Sequence, residues 1–178
     1  YGFIAYPVSV LGQAQATVVK TKNTSDGQWP FAYTPGTGSN YDQTVVTMTS
    51  STIGQITTTY RHFGYASVSN GSVWKIGLLY QKVTGTEQTE TMTWAASGAI
   101  SLEPTTPSGY QKRDDQTFRP LLSQRQVTRD SATYTTAYSN FDVFGNPATV
   151  TETGNRTRTH SLTYFNNTAT WILGMPQR

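Results

Sequence analysis

Polar and apolar residues alternate with a period of two along much of the chain, and this alternation predicts β-strands. In GQITTTY, Ile56 and Tyr60 fall on one side of the run. In RTRTHSLTYF, Leu162 and Tyr164 do the same, while threonines take the other side. Successive side chains of a strand point to opposite faces, and strands with one polar face are typical of antiparallel sheets. We predict an all-β fold of antiparallel hairpins arranged as a β-meander.

Two stretches interrupt the alternation. Residues 25–42 (SDGQWPFAYTPGTGSNYD) and 95–115 (AASGAISLEPTTPSGYQKRDD) are rich in Gly, Pro and Ser. Clusters of these residues between periodic segments mark loops. We predict two long ordered loops, a kind of segment that is often functional. Both keep aromatic or aliphatic side chains as anchors, so neither is predicted to link separate domains.

Composition supports the β prediction and narrows the classes of function. The chain has 32 threonines and only 13% charged residues, and good helix formers are scarce. The lack of cysteine excludes disulfides, cysteine nucleophiles and cysteine-bound zinc. A net charge of +3 indicates a solvated surface rather than a nucleic-acid partner. No window approaches the ~20 apolar residues of a membrane helix, so no membrane span is predicted.

An internal repeat accounts for much of the remaining pattern. The stretch YRHFGYASVSNG (60–71) aligns with FDVFGNPATVTETG (141–154). The matched residues are Tyr60 with Phe141, Phe63 with Phe144, Gly64 with Gly145 and Gly71 with Gly154. Downstream, WKIGLLYQK from Trp74 resembles WILGMPQR from Trp171. The predicted unit is a Thr-rich strand ending in an aromatic residue, a glycine turn, a short strand and a second glycine turn.

The unit has a physical rationale. A lone hairpin is marginally stable, whereas stacked units share a core and cover each other's edges. Gly64 and Gly145 are predicted to supply the positive φ of a tight turn. The aromatic residue before each turn can pack on a neighbouring strand. Trp74 and Trp171 are predicted to be matching core anchors.

The second copy resembles the YD repeat of the Rhs family. Its residues match that repeat at Phe141-Asp142, Gly145-Asn146, Val150-Thr151 and Gly154-Asn155. The resemblance covers residues 120–178, and residues 54–83 match less closely because Arg61 stands where the repeat has Asp. Residues 1–50 carry little of the pattern. Related repeats occur in the B and C components of insecticidal toxin complexes.

The resemblance implies that residues 1–178 are one segment of a large, non-enzymatic β-shell. In the Rhs family such a shell encloses a C-terminal toxin until it is delivered. The implied partners are the rest of the shell, its toxin passenger and a bacterial secretion or delivery apparatus. The family's self-cleavage signature, Asp-Pro-x-Gly-Leu, does not occur, so no protease residues are assigned. The chain starts at Tyr1 without a signal peptide, which leads us to expect an excerpt from a longer exported polypeptide; a mature secreted domain is the alternative.

Candidate catalytic groups do not converge on one reaction. His62 and His160 lack the spacing of metal ligands, and Asp114-Asp115 fits a solvated turn better than a calcium loop. The Gly-rich PGTGSN lacks the residues that hold a phosphate. We therefore expect no metal and no cofactor, and an all-β hydrolase is the weakest of three hypotheses.

Aromatic residues of the first predicted loop support a second hypothesis. Trp29 and Tyr33 are the candidate ligand-binding residues, with Phe31 and Tyr41 nearby. Exposed rings beside polar side chains hold sugars in many β-sandwich modules by stacking and hydrogen bonding. This alternative, a carbohydrate-binding or adhesin module, predicts that Trp29 and Tyr33 are exposed. Packing of the same rings onto the sheet is the simpler explanation.

Overall fold

The computed structural model describes residues 2–6, 14–25, 27–50, 52, 54–68, 72–97, 100–101 and 116–177. These residues form sixteen strands and two short 3-10 helices, at Tyr65–Ser67 and Val73–Lys75. The strands are β1 (Gly2–Tyr6), β2 (Ala14–Val18), β3 (Thr21–Thr24), β4 (Gly27–Thr34), β5 (Asp42–Ser50), β6 (Gly54–His62), β7 (Leu79–Thr84), β8 (Gln88–Ala96), β9 (Ile100–Ser101), β10 (Gln116–Thr117), β11 (Pro120–Arg129), β12 (Ala132–Phe141), β13 (Pro147–Thr153), β14 (Thr157–Ser161), β15 (Tyr164–Asn167) and β16 (Ile172–Pro176).

Ten strands belong to one antiparallel sheet, in the order β14-β13-β12-β11-β8-β7-β6-β5-β4-β3. Almost every neighbour in this sheet is also the next strand along the chain, which is the definition of a meander. The exception is the step from β8 to β11, between which β9 and β10 form a small sheet of their own. The hairpins β1–β2 and β15–β16 are separate two-stranded sheets. The predicted all-β, antiparallel meander is confirmed.

The prediction of a first long loop is wrong over residues 27–34, which form strand β4. Its burial alternates residue by residue, with Trp29, Phe31 and Tyr33 half-buried and the residues between them exposed. Aromatic residues have high β propensity. The neighbouring Gly and Pro residues hid this alternation in the sequence. Pro30 is accommodated at an exposed position, opposite Thr21 of β3.

The second predicted loop is only partly described. The prediction is wrong at residues 95–96, which end β8, and at residues 100–101, which form β9. Strand β10 begins just after the predicted loop and pairs with β9, with Gln116 opposite Ser101 and Thr117 opposite Ile100. Residues 102–115, including Asp114 and Asp115, lie outside the described residues, as does Gly71 of the first repeat.

The chain divides into two compact units. Unit 1 comprises residues 1–91 and 127–132, and unit 2 comprises residues 92–126 and 133–178. Within the described part of both units no hydrophobic residue is buried, and the buried polar residue is Glu90, at 8% exposure. An amphipathic sheet normally buries its apolar face against a second layer. The apolar side chains of the sheet are therefore only partly covered.

Helices of the length and hydropathy needed to cross a bilayer are not found among the residues that the structure describes.

Candidate functional site

The best-defined polar site is the turn between β12 and β13, in unit 2. The N–H of Gly145 donates to the carbonyl of Asp142 at 3.0 Å, and the N–H of Asp142 donates to the carbonyl of Asn146 at 2.9 Å. Gly145 has φ +89°, as predicted from the repeat. Asp at the first position of a β-turn and left-handed Gly at the fourth describe a three-residue hairpin loop with a bulge. We call Asp142 to Asn146 the Asp142 corner.

The Asp142 carboxylate is saturated with hydrogen bonds. One oxygen, Oδ1, accepts the N–H groups of Phe144 and Asn146, each at 2.9 Å. The other, Oδ2, accepts the side-chain amides of Asn146 at 3.0 Å and Asn166 at 3.2 Å. Burial raises the pKa of Asp142, but the hydrogen bonds from Asn146, Phe144 and Asn166 outweigh it and hold the pKa below its usual range. A carboxylate with four donors is a structural acceptor, with no lone pair left for a metal or a substrate proton.

The Asp142 corner also fastens the hairpin β15–β16. Asn166 of β15 donates to Asp142 and accepts the N–H of Gly174 in β16 at 2.7 Å. Tyr164 adds a hydrogen bond from its hydroxyl to the carbonyl of Pro147 at 3.1 Å. Gly174 has φ +72°, and a Cβ at this position would lie 2.8 Å from Asn146 Oδ1. Sequence analysis missed Asn166 and Gly174, although a glycine inside a strand pattern is a signal for a bulge or a close approach.

Unit 1 contains a second aspartate corner, built from Asp42, Gly36 and Gly64. Oδ1 of Asp42 accepts the N–H of Gly36 at 2.7 Å. Gly64 lies directly against the same carboxylate, so a Cβ there would overlap with it. The backbone of Gly64 has φ −112°, so the predicted positive φ is wrong for this glycine. Glycine occupies position 64 because the Asp42 carboxylate leaves no room for a side chain. We call these three residues the Asp42 corner.

Next to the Asp42 corner lies a cluster of aromatic rings. Tyr41 stacks on Tyr80 with ring centroids 4.2 Å apart, and Phe63 packs edge-on against both at 5.4 and 5.6 Å. Lys75 Nζ lies 5.5 Å from the centre of the Phe63 ring and 5.3 Å from that of Trp74. Burial and the neighbouring Tyr80 raise the pKa of Tyr41. The dipeptide Tyr41-Asp42 is itself a Tyr-Asp pair. The alignment of residues 60–71 with residues 141–154 did not include it.

Two further residues of the predicted repeat, Tyr60 and Gly154, lie in or next to strands of the sheet. Tyr60 lies in β6, opposite Thr44 and Lys82, with Lys82 Nζ 5.9 Å from its ring centre. Gly154 lies beyond β13, where a Cβ would meet the Tyr134 ring at 2.7 Å.

The two tryptophans of the repeat differ in burial. Trp74 is half-buried, beside the aromatic cluster. Trp171 is 84% exposed and lies in the turn before β16 with φ +55°. Its predicted role as a core anchor is wrong, because the turn carries the ring away from the paired strands.

The candidate ligand-binding residues lie on one face of β4. Trp29, Phe31 and Tyr33 line an open groove of about 360 Å³ together with Lys22, Thr44, Val46, Tyr60 and His62. The rings are half-buried rather than exposed. Phe31 and Tyr33 stack at 6.3 Å, the Tyr33 hydroxyl donates to the carbonyl of Val19 at 2.9 Å, and Lys22 Nζ lies 5.7 Å from the Trp29 ring. The groove is therefore preformed, with an aromatic wall and a cation at its rim.

The two histidines lie in different units. His62 is opposite Asp42 in the sheet; burial lowers its pKa, and the Asp42 charge opposes this shift. His160 is exposed and lies 3.5 Å from Glu152 on the neighbouring strand. In the part of the chain that the structure describes, no three His, Asp or Glu side chains come together in a way that could hold a metal ion.

Comparison with known proteins gave no match. No protein-family model, no curated protein and no solved structure matches this chain.

Proposed function

We propose that this chain is a non-enzymatic segment of an Rhs-type β-shell that encloses a toxin passenger and is exported from bacteria. One observation carries the proposal: ten antiparallel strands form a single meander, and no hydrophobic residue is buried among the residues that the structure describes. Such a sheet needs further layers or neighbouring units to cover its apolar side chains. The wall of a larger shell, contacted by the rest of the polypeptide and its passenger, would provide them.

The Asp142 corner supports the same proposal. Its Phe-Asp-x-x-Gly-Asn residues fix a hairpin turn: Asp142 accepts three hydrogen bonds within that turn and a fourth from Asn166 of the next hairpin. A motif with this role builds a hairpin turn rather than an active site. The Asp42 corner, also preceded by an aromatic residue, is compatible with a second, more divergent unit.

The test is the mass of the natural polypeptide, with peptide sequencing on both sides of residues 1 and 178. The proposal expects a chain several times longer, with further aromatic-Asp-x-x-Gly units beside this one. It also expects the C-terminal passenger to resist limited proteolysis until the shell is opened. A natural chain of about this length without flanking repeats would refute the proposal.

A second candidate function is carbohydrate binding, favoured by the aromatic groove on β4. Its row of rings and the rim cation Lys22 could hold a saccharide by ring contact and hydrogen bonding. A glycan screen would compare the unchanged chain with Trp29→Ala, and Tyr65→Ala, an exposed ring outside the groove, serves as the matched control. Binding that is lost with Trp29→Ala alone would support this candidate. Absence of binding to every glycan would count against it.

A further inference from the structure

The hairpin β15–β16 has two faces of different character. Its inner face carries Tyr164 and Asn166, which hydrogen-bond to Pro147 and Asp142. Its outer face carries Phe165, which lies opposite Met175. The hairpin is therefore held on one side by polar contacts and is open on the other.

A bulge places three large apolar residues together on the outer face. Phe165 pairs with Met175, but Asn167 pairs with Ile172 because the register shifts by one residue between the two pairs. A one-residue shift moves the side chains beyond it to the other face of a strand. Ile172 therefore joins Phe165 and Met175, although regular alternation along β16 would separate it from Met175.

The residues of this face are exposed. The exposed fractions are 46% for Phe165, 42% for Ile172, 54% for Met175 and 84% for Trp171 in the adjoining turn. We call these four residues the hairpin patch. Contiguous exposed apolar residues on a soluble protein commonly mark an interaction surface.

The hairpin patch also lies in an uncharged segment. No Asp, Glu, Lys or Arg occurs between residues 161 and 177, whereas the chain as a whole carries a net charge of +3. Exposed edge strands are often protected by charged side chains, and both strands of the two-stranded sheet β15–β16 are edges. The adjoining hairpin β13–β14 has such protection, with Glu152 next to His160 and with Arg156 and Arg158 exposed. The hairpin patch has none.

We infer that the hairpin patch is a self-association surface whose occupant is the same patch of a second copy of this chain. A two-fold contact places a charged side chain close to the same charge of the second copy, and this segment has no such charges. An isologous contact would pair the apolar face with itself around a two-fold axis.

The area of the patch limits the size of the interface. Fully burying an aromatic side chain removes ~150–250 Å² from water, and the exposed fractions of the four residues then give on the order of 1,000 Å² for two copies. This lies at the weak end of specific interfaces. We therefore expect a weak, reversible dimer of this chain, with a dissociation constant in the micromolar range.

Sedimentation velocity over a range of concentrations tests the inference. The unchanged chain should pass from monomer to dimer as concentration rises. Trp171→Asn and Met175→Lys should each raise the dissociation constant by ~10-fold or more, because both remove apolar contact and the second places like charges at the contact. Asn tolerates the positive φ of position 171, so this variant should keep the hairpin folded. Tyr65→Asn, which removes an exposed ring from unit 1, should leave the association unchanged.

Cross-linking gives a second readout that separates this surface from others. The chain has no cysteine, so Trp171→Cys and Tyr65→Cys each introduce a single thiol. A short thiol-specific cross-linker should join two copies of the first variant and not of the second. A chain that stays monomeric at every soluble concentration overturns the inference. A dimer that survives both hairpin variants, or that cross-links through position 65, overturns it as well.

Discussion

The Asp142 corner and the Asp42 corner use the same pair of residue types in different ways. Each has an aspartate that follows an aromatic residue, and each includes a glycine. Asp42 accepts the N–H of Gly36, and Asp142 accepts those of Phe144 and Asn146. In unit 2 the glycine is needed for its backbone angle, since Gly145 has φ +89°. In unit 1 the glycine is needed for its lack of a side chain, since Gly64 is extended and touches the Asp42 carboxylate. Similar sequence patterns can therefore place glycine under two separate physical constraints.

The largest expected loss of stability is at Gly145. Two substitutions there separate the constraint on the backbone angle from the constraint on side-chain size. Gly145→Val should destabilise the fold by about 2–3 kcal/mol, because a β-branched residue strains at positive φ. Its Cβ would also lie 3.1 Å from Arg119 and 3.2 Å from Leu121. Gly145→Asn should cost much less, since Asn tolerates this angle. Urea unfolding of both variants measures the difference, and equal losses would show that φ is not the constraint.

A smaller loss is expected for Gly64→Ala. The added methyl group overlaps with the Asp42 carboxylate, which must move away from Gly36. Overpacking of this kind costs about 1–3 kcal/mol. Here Gly64→Asn should be at least as harmful as Gly64→Ala, the reverse of what we expect at Gly145. If Asn rescued Gly64 relative to Ala, the two corners would be equivalent and the comparison would fail.

The contrast explains which features could be predicted from the sequence. The turn at Gly145 was predictable because its hydrogen bonds join residues within the Asp142 corner itself. The contact between Asp42 and Gly64 joins the start of β5 to the segment that follows β6, so it depends on the register of the sheet. Strand β4 was missed because Gly and Pro were given more weight than its alternating aromatic rings. Trp171 is exposed because it lies in a turn with positive φ. The sequence alignment of Trp171 with Trp74 gave no sign of this turn.

The charge of Asp142 should make stability depend on pH. Hydrogen bonding lowers its pKa in the folded state below the ordinary value of 3.8. The ionised carboxylate therefore stabilises the fold above pH 3.8, and this contribution is lost as the pH falls through the lower, folded-state pKa. Asp142→Asn should lower the urea midpoint at neutral pH, with a difference that shrinks in acid. Asp130→Asn, at an exposed turn, controls for loss of one negative charge. A difference that does not change with pH would mean that the charge contributes nothing.

The smallest effect on stability is expected for Trp171→Asn. The ring is 84% exposed, so its removal uncovers little apolar surface in the monomer, and Asn suits the φ of +55° at this position. The free energy of unfolding should change by less than ~0.5 kcal/mol, which is usual for exposed positions. Trp74→Ala should cost more, because Trp74 is half-buried beside the aromatic cluster. The free energy of unfolding should be measured at concentrations where the chain is monomeric. Loss of self-association then does not add to the measured difference. A loss at Trp171 as large as that at Trp74 would restore the equivalence of the two tryptophans that the sequence repeat predicted.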